Sequence, residues 1–234
     1  MHIALHGQEF ELTGRDDLVA LVGPSRQLAT WLGRLDRRFR IRSLEVQSAD
    51  TRFDGSLLFA KLKAGVTDHE GNWIPGGIFM RGDAAAVLMI LRVAGAEHVL
   101  LVVQPRFPAG TFESVEIPAG MIDDQGGPLE TAVREVFEET GIRVEPDQLE
   151  FLGEFFPSGG GSDEKLTLYA CALDMTAEKL RALHGASGGA IHEHERLKML
   201  VVPLDDLPKH TRDIKALLAY GFYRAWPRTQ AQPQ

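Results

Sequence analysis

Glu135, Glu138 and Glu139 recur at spacings of three and four within the segment IPAGMIDDQGGPLETAVREVFEETGI, residues 117–142. On a helix such spacings place three carboxylates on one face, where like charges repel by about a few tenths of a kcal/mol per pair. A bound divalent cation reverses that cost, and carboxylate oxygens suit Mg²⁺ or Mn²⁺, ions that bridge a protein to substrate phosphates. Acidic runs on helices also occur as plain solvated faces. The strand-like residues before this helix, its Gly-containing loop and the adjacent Arg134 turn the reading toward a metal site.

The helix is expected over about Pro128–Thr140. Pro128 suits a first turn, Gly141 suits a C-terminal stop, and Leu129, Ala132, Val133, Val136 and Phe137 supply an inward apolar face. Nearly continuous apolar runs at 84–93 and 99–104 read as buried strands, and 149–156, 166–173 and 198–203 read as further strands. Helices are expected around Thr176–Leu183 and over Thr211–Ala225. Strands and helices in this order, without a strict alternating unit, predict an α/β sandwich with a mixed sheet.

The N-terminal part reads differently. Leu28, Trp31, Leu32 and Leu35 predict an amphipathic helix over Pro24–Arg38, and strands over Phe53–Leu62 and Ile74–Met80 flank the turn-like DHEGN at 68–72. Residues 1–80 are therefore expected to form a strand-rich module, residues 81–226 the chemical domain, and 227–234 a disordered tail.

The 234 residues carry a net charge of -8, which argues against broad attraction to a nucleic-acid backbone. Arg34, Arg37, Arg38, Arg40 and Arg42 form one local basic cluster, read as the solvated face of a helix end. The single cysteine, Cys171, sits in an apolar run and is read as a buried structural thiol, in keeping with a reducing compartment. No secretory leader and no long apolar span is visible, so a cytoplasmic location without membrane partners is expected. His192, Glu193, His194 and Glu195 lack the spacing of a zinc helix and are read as a solvated loop, with Glu193 or Glu195 near the site as the alternative.

Gly120, Arg134-Glu135-Val136, Glu138-Glu139 and Gly141-Ile142 resemble the Nudix box: Gly, five residues, Glu, seven residues, Arg-Glu-aliphatic, one residue, Glu-Glu, one residue, Gly-aliphatic. One element departs, because Gly126 stands where the box has its first Glu; Glu130, four residues before Arg134, is expected to take over as its partner. FMRGDAAAVL (79–88), VVQPRFPAG (102–110), FPSGGGSDEKL (156–166) and LKMLVVPLDDL (197–207) extend the likeness to the ADP-ribose and ADP-sugar pyrophosphatase branch. Within it the chain is most similar to plant-type ADP-sugar diphosphatases, whose loop also lacks that glutamate.

The resemblance implies a Nudix-type α/β/α sandwich and a homodimer completed by the N-terminal module. It also implies that the Ala119 carbonyl, Glu135 and Glu139 hold Mg²⁺ (or Mn²⁺), with Arg134 and Glu138 supporting catalysis. Arg81 and Arg106 match arginines that reach the diphosphate, a task suited to a guanidinium's several donors; strand-end ion pairs are the alternative. Glu164, in the loop with Gly159, Gly160 and Gly161, matches a general base or additional ligand, and Asp163 is its rival. Trp73 and Phe79 are read as core side chains, with base stacking the alternative. The implied reaction converts an ADP-sugar, ADP-ribose or ADP-glucose, to AMP and a sugar 1-phosphate. Alternatives are hydrolysis of UDP-glucose, GDP-mannose or a dinucleoside polyphosphate, or a non-catalytic nucleotide-sugar sensor.

Overall fold

In a computed structural model, which describes residues 1–123, 126–189 and 197–225, the chain divides into two compact units. Met1–Asp83 with Phe156–Lys165 form the first, and Ala84–Phe155 with the described residues from Leu166 onward form the second. The His192–Glu195 run, Asp124 and the tail beyond Ala225 lie outside the described residues. Among the described residues no helix is long and apolar enough to cross a membrane.

The first unit is built on a sheet of β1 (His2–Leu5), β2 (Gln8–Gly14), β3 (Arg40–Thr51), β4 (Leu57–Thr67), β5 (Trp73–Ile74) and β6 (Gly77–Met80). They follow that order from β1 to β5, with β6 also pairing with β4. Helices α1 (Asp16–Val22) and α2 (Arg26–Arg34) contribute Val22 and Leu28 to a core shared with Leu12, Leu44, Leu62 and Met80. The DHEGN turn forms as expected, Asp68 N–H donating to the Asn72 carbonyl at 2.9 Å.

Three expectations are corrected here. The helix ends at Arg34 because Leu35 is already extended, so Arg40 and Arg42 lie on a strand and not on a helix face. Residues 53–56 form an exposed hairpin turn, Asp54 accepting from Ser56 N–H at 2.9 Å, and the strand begins only at Leu57. Trp73 and Phe79 are 71% and 46% exposed, since strand alternation turns Met80 inward and Phe79 outward. Arg42 stacks over Trp73 and Phe59 lies against Phe79.

The second unit shows the expected α/β/α sandwich around a mixed sheet. Its strands are β7 (Ala84–Val93), β8 (Ala96–Arg106), β9 (Thr111–Glu116), β10 (Ala119–Met121), β11 (Leu149–Phe155), β12 (Leu166–Asp174), β13 (Ser187–Gly188) and β14 (Leu197–Pro203). The order is β11-β12-β7-β8-β14-β13, with β10 on β7 and β9 on β8. β12 and β7 run parallel; the other pairings in this sheet are antiparallel.

Strand β7 explains the layering. Ala86, Leu88 and Ile90 face a core shared with Ala216, Ala219 and Tyr223, whereas Ala85, Val87, Met89 and Leu91 face one shared with Ala132 and Val136. The first three belong to helix α6 and the last two to α3 (Pro128–Thr140); between them in chain order come α4 (Ala177–Leu183) and α5 (Leu207–His210), α6 itself spanning Ile214–Ala225. A strand buried on both faces reads as one continuous apolar run, as this one does. Cys171 is buried, and burial pushes its thiol up to about 11, so it is an unreactive core group as expected.

Candidate active site

Helix α3 carries the glutamates and short strand β10 receives them. Gly141 ends the helix at φ 71°, its N–H donating to the Phe137 carbonyl at 2.8 Å. Strand β10 is fixed by pairing with β7, Gly120 opposite Ala85. A Cβ on Gly120 would overlap the Glu135 carboxylate, so a larger residue here would have to displace that side chain. Glu139 is only 3% exposed, and its Oε2 accepts from the Ala119 N–H at 3.3 Å. Gly188 makes a second tight fit, because a Cβ there would overlap the Glu139 carbonyl oxygen.

Arg134 gathers the remaining acid groups. Its guanidinium lies 3.0 Å from Glu135 Oε1, 3.0 Å from Glu138 Oε2 and 3.2 Å from Asp123 Oδ2. Burial works against the charged guanidinium, but Glu135, Asp123 and Glu138 outweigh it and hold the Arg134 pKa above its usual value. The expectation that Glu130 replaces the missing box glutamate as the partner of Arg134 is therefore corrected. Asp123 joins Glu135 and Glu138 around that guanidinium, and Glu130 caps the helix by accepting from Gly127 N–H at 2.9 Å. Gly126 has its own reason, since a Cβ there would come within 2.8 Å of Glu130 Cβ.

Glu135 thus lies against Gly120 and Glu139 against the Ala119 N–H, both where α3 faces β10. Their hard oxygen donors fit a divalent ion of the Mg²⁺ class. Among the described residues no three His, Cys, Asp or Glu side chains are already drawn together as an ion-holding set. Arg134 supplies the neutralising charge to Glu135 and Glu138 in this arrangement.

Arg106 ends β8 in a two-pronged ion pair, Nε to Glu116 Oε1 at 2.8 Å and Nη2 to Oε2 at 2.9 Å. Lys215 of α6 reaches the same Glu116 Oε2 at 3.3 Å. Burial raises the Glu116 pKa, yet Arg106 and Lys215 more than offset this and hold it down to about 2. Glu116 immediately precedes the IPAG fragment, and nothing local in the sequence marks Lys215, 99 positions on, as its partner.

In the first unit, Arg81 and Glu164 pair with each other at 3.4 Å. Asp163 has a different task. Its buried carboxylate accepts from Arg81 N–H at 2.7 Å and from Gly82 N–H at 3.2 Å, and its carbonyl accepts from Arg34 at 2.6 Å. Arg34 also holds Asp83 at 2.6 Å. Burial leads the influences that push the Asp163 pKa up, against the backbone donors and Arg34. These contacts make Asp163 the clamp of the glycine loop, a role that the charge pattern around Arg34 did not reveal.

Comparison with known proteins places the chain. The NUDIX domain model matches residues 80–220. Nudix hydrolase 14, chloroplastic, of Arabidopsis thaliana is 35% identical over 199 residues, covering 80% of this chain and 64% of that protein. The ADP-sugar pyrophosphatase of Mus musculus is 44% identical over 64 residues, 27% of this chain and 29% of that one. The chain spans less than two thirds of the length of these curated relatives. A crystal structure of an ADP compounds hydrolase shares the fold at a TM-score of 0.57 and 17% identity, over 81% of this chain and 94% of the other. The box residues of α3 and β10 lie inside the matched region, and the chain belongs to the Nudix hydrolase family.

Proposed function

We propose that this chain hydrolyses the diphosphate of an ADP-sugar, ADP-ribose or ADP-glucose, to AMP and a sugar 1-phosphate with the aid of Mg²⁺ or Mn²⁺. The carrying observation is the seating of Glu135 over Gly120 and of Glu139 on the Ala119 N–H. The name of the mouse relative supports the ADP-sugar class.

Glu135, Glu139 and the Ala119 carbonyl would hold the ion. When bound, such an ion withdraws charge from phosphoryl oxygens and acts as a Lewis acid toward an attacking water. Arg134 keeps Glu135 and Glu138 in place on the helix and offsets their mutual repulsion. Arg106 offers its guanidinium to phosphoryl oxygens. Glu164 accepts the proton of the attacking water and Arg81 contacts the diphosphate, roles taken from the family resemblance and tested by substitution. A homodimer in the cytoplasm completes the proposal, and the buried Cys171 thiol suits a reducing compartment.

The test is a panel of ADP-ribose, ADP-glucose, UDP-glucose, GDP-mannose and a dinucleoside polyphosphate, with products identified by chromatography. Preferential formation of AMP and a sugar 1-phosphate supports the reading. Preference for a uridine or guanosine compound would move the substrate class, and nucleotide-sugar binding without any turnover would favour a sensor.

A further inference from the structure

Lys215 belongs to none of the sequence motifs, yet it is tied to a residue that is. Its Nζ lies 3.3 Å from Glu116 Oε2 and 2.9 Å from Asp213 Oδ1, and its side chain is 20% exposed. On the other side of Glu116, Arg106 docks its Nε and Nη2 edge on both carboxylate oxygens while retaining 42% exposure. Glu116 itself is 5% exposed. Two cations therefore share one buried carboxylate, Arg106 being the more exposed of the two.

The anchor behind Lys215 runs back to the same strand. Asp213 N–H donates to Thr211 Oγ1 at 2.9 Å, and the Thr211 hydroxyl donates to the carbonyl of Val115, the residue before Glu116. The start of α6 and the end of β9 are thereby held in register. Ionisation of a buried carboxylate needs compensating charge, and Lys215, itself held by Asp213, adds a second fixed cation to the carboxylate that Arg106 grips. Lys215 thus fixes the Glu116 carboxylate on which the part-exposed Arg106 guanidinium rests, and a planar guanidinium held in one orientation suits recognition of phosphoryl oxygens.

We infer that Lys215 is a positioning residue for Arg106, acting through the Glu116 carboxylate, and that it does not itself touch substrate. The inference rests on the proposed diphosphate hydrolysis, with Arg106 as a phosphoryl contact. A lysine that merely neutralises buried charge would weaken the fold and leave KM unchanged.

A double-mutant cycle on the full chain separates the two, with kcat and KM measured for ADP-ribose and Mg²⁺. K215M should lower kcat/KM about tenfold, largely through KM, in the otherwise unaltered protein, and less than about twofold when R106A is already present. K215R should restore most of the loss, and K215Q replaces K215M in the cycle should the latter fail to fold. Equal losses in both backgrounds, or none in either, would overturn the positioning role. Robust turnover by the unaltered protein with an additive cycle sinks this inference alone; no turnover of any diphosphate by the unaltered protein removes the parent reading along with it.

Discussion

Glu135 lies across Gly120, its carboxylate filling the space into which any side chain at 120 would project. The smallest enlargement, G120A, must displace either the carboxylate or the strand that pairs with β7. Misplacement of a catalytic group by about 1 Å can cost about a hundredfold in rate, and a loss in kcat of that order is expected for G120A. Steady-state kinetics with a melting curve checks this, and unimpaired turnover would contradict the assigned role of Glu135.

Arg134 sits among Asp123, Glu135 and Glu138 and offsets their repulsion. R134M should lower stability by about 1–3 kcal/mol in EDTA, as expected for loss of charge-assisted hydrogen bonds. Added Mg²⁺ should raise the melting temperature of R134M by more than it raises that of the unaltered protein, because the ion then meets uncompensated carboxylates. Equal increments in the two proteins would argue against an ion at this site.

Glu116 gives a signature in acid. Its pKa, held at about 2 in the folded chain against an ordinary value of 4.5, lies below that of the unfolded chain. Its ionisation therefore stabilises the fold fully above about pH 4.5, and that contribution is lost as pH falls toward 2. A depression of this size corresponds to about 3 kcal/mol. Chemical denaturation between pH 5 and 2.5 should show a shallower decline for E116Q than for the unaltered protein, from a lower starting stability. Parallel declines would mean that Glu116 is not the group concerned.

Asp163 and Glu164 are neighbours with opposite expectations. D163A removes the acceptor of the Arg81 and Gly82 N–H groups and should cost about 1–3 kcal/mol through buried donors left unpaired. E164Q should leave melting little changed and lower kcat about 10²- to 10⁴-fold, as loss of a general base does. Reversal of the two phenotypes would exchange their roles.

Much of this was legible in the sequence because it follows local rules. The apolar run of β7, the Pro128 start and the Gly141 stop each specify an element from within itself, and Gly120, Glu135 and Glu139 stand in a fixed spacing. What escaped depended on distant partners. Lys215 meets Glu116 across 99 positions and Arg34 meets the Asp163 carbonyl across 129, separations that no periodicity encodes. Glu130 departs from its expected role for a related reason: i,i+4 spacing allows a pair with Arg134, but the orphan Gly127 N–H at the helix start claims the carboxylate. Trp73 and Phe79 are exposed although aromatic character favours burial, because the register of a short strand decides which face each residue takes.

The most direct test of the central claim compares ADP-ribose hydrolysis by the unaltered protein and E139Q, each with Mg²⁺ and with EDTA. Glu139 is buried against the Ala119 N–H, and the substitution preserves its shape while removing its charge. The account predicts Mg²⁺-dependent release of AMP by the unaltered protein and a loss of at least about a hundredfold in E139Q, as for other groups stabilising transition-state charge. Equal turnover by the two proteins, or turnover indifferent to EDTA, would contradict it.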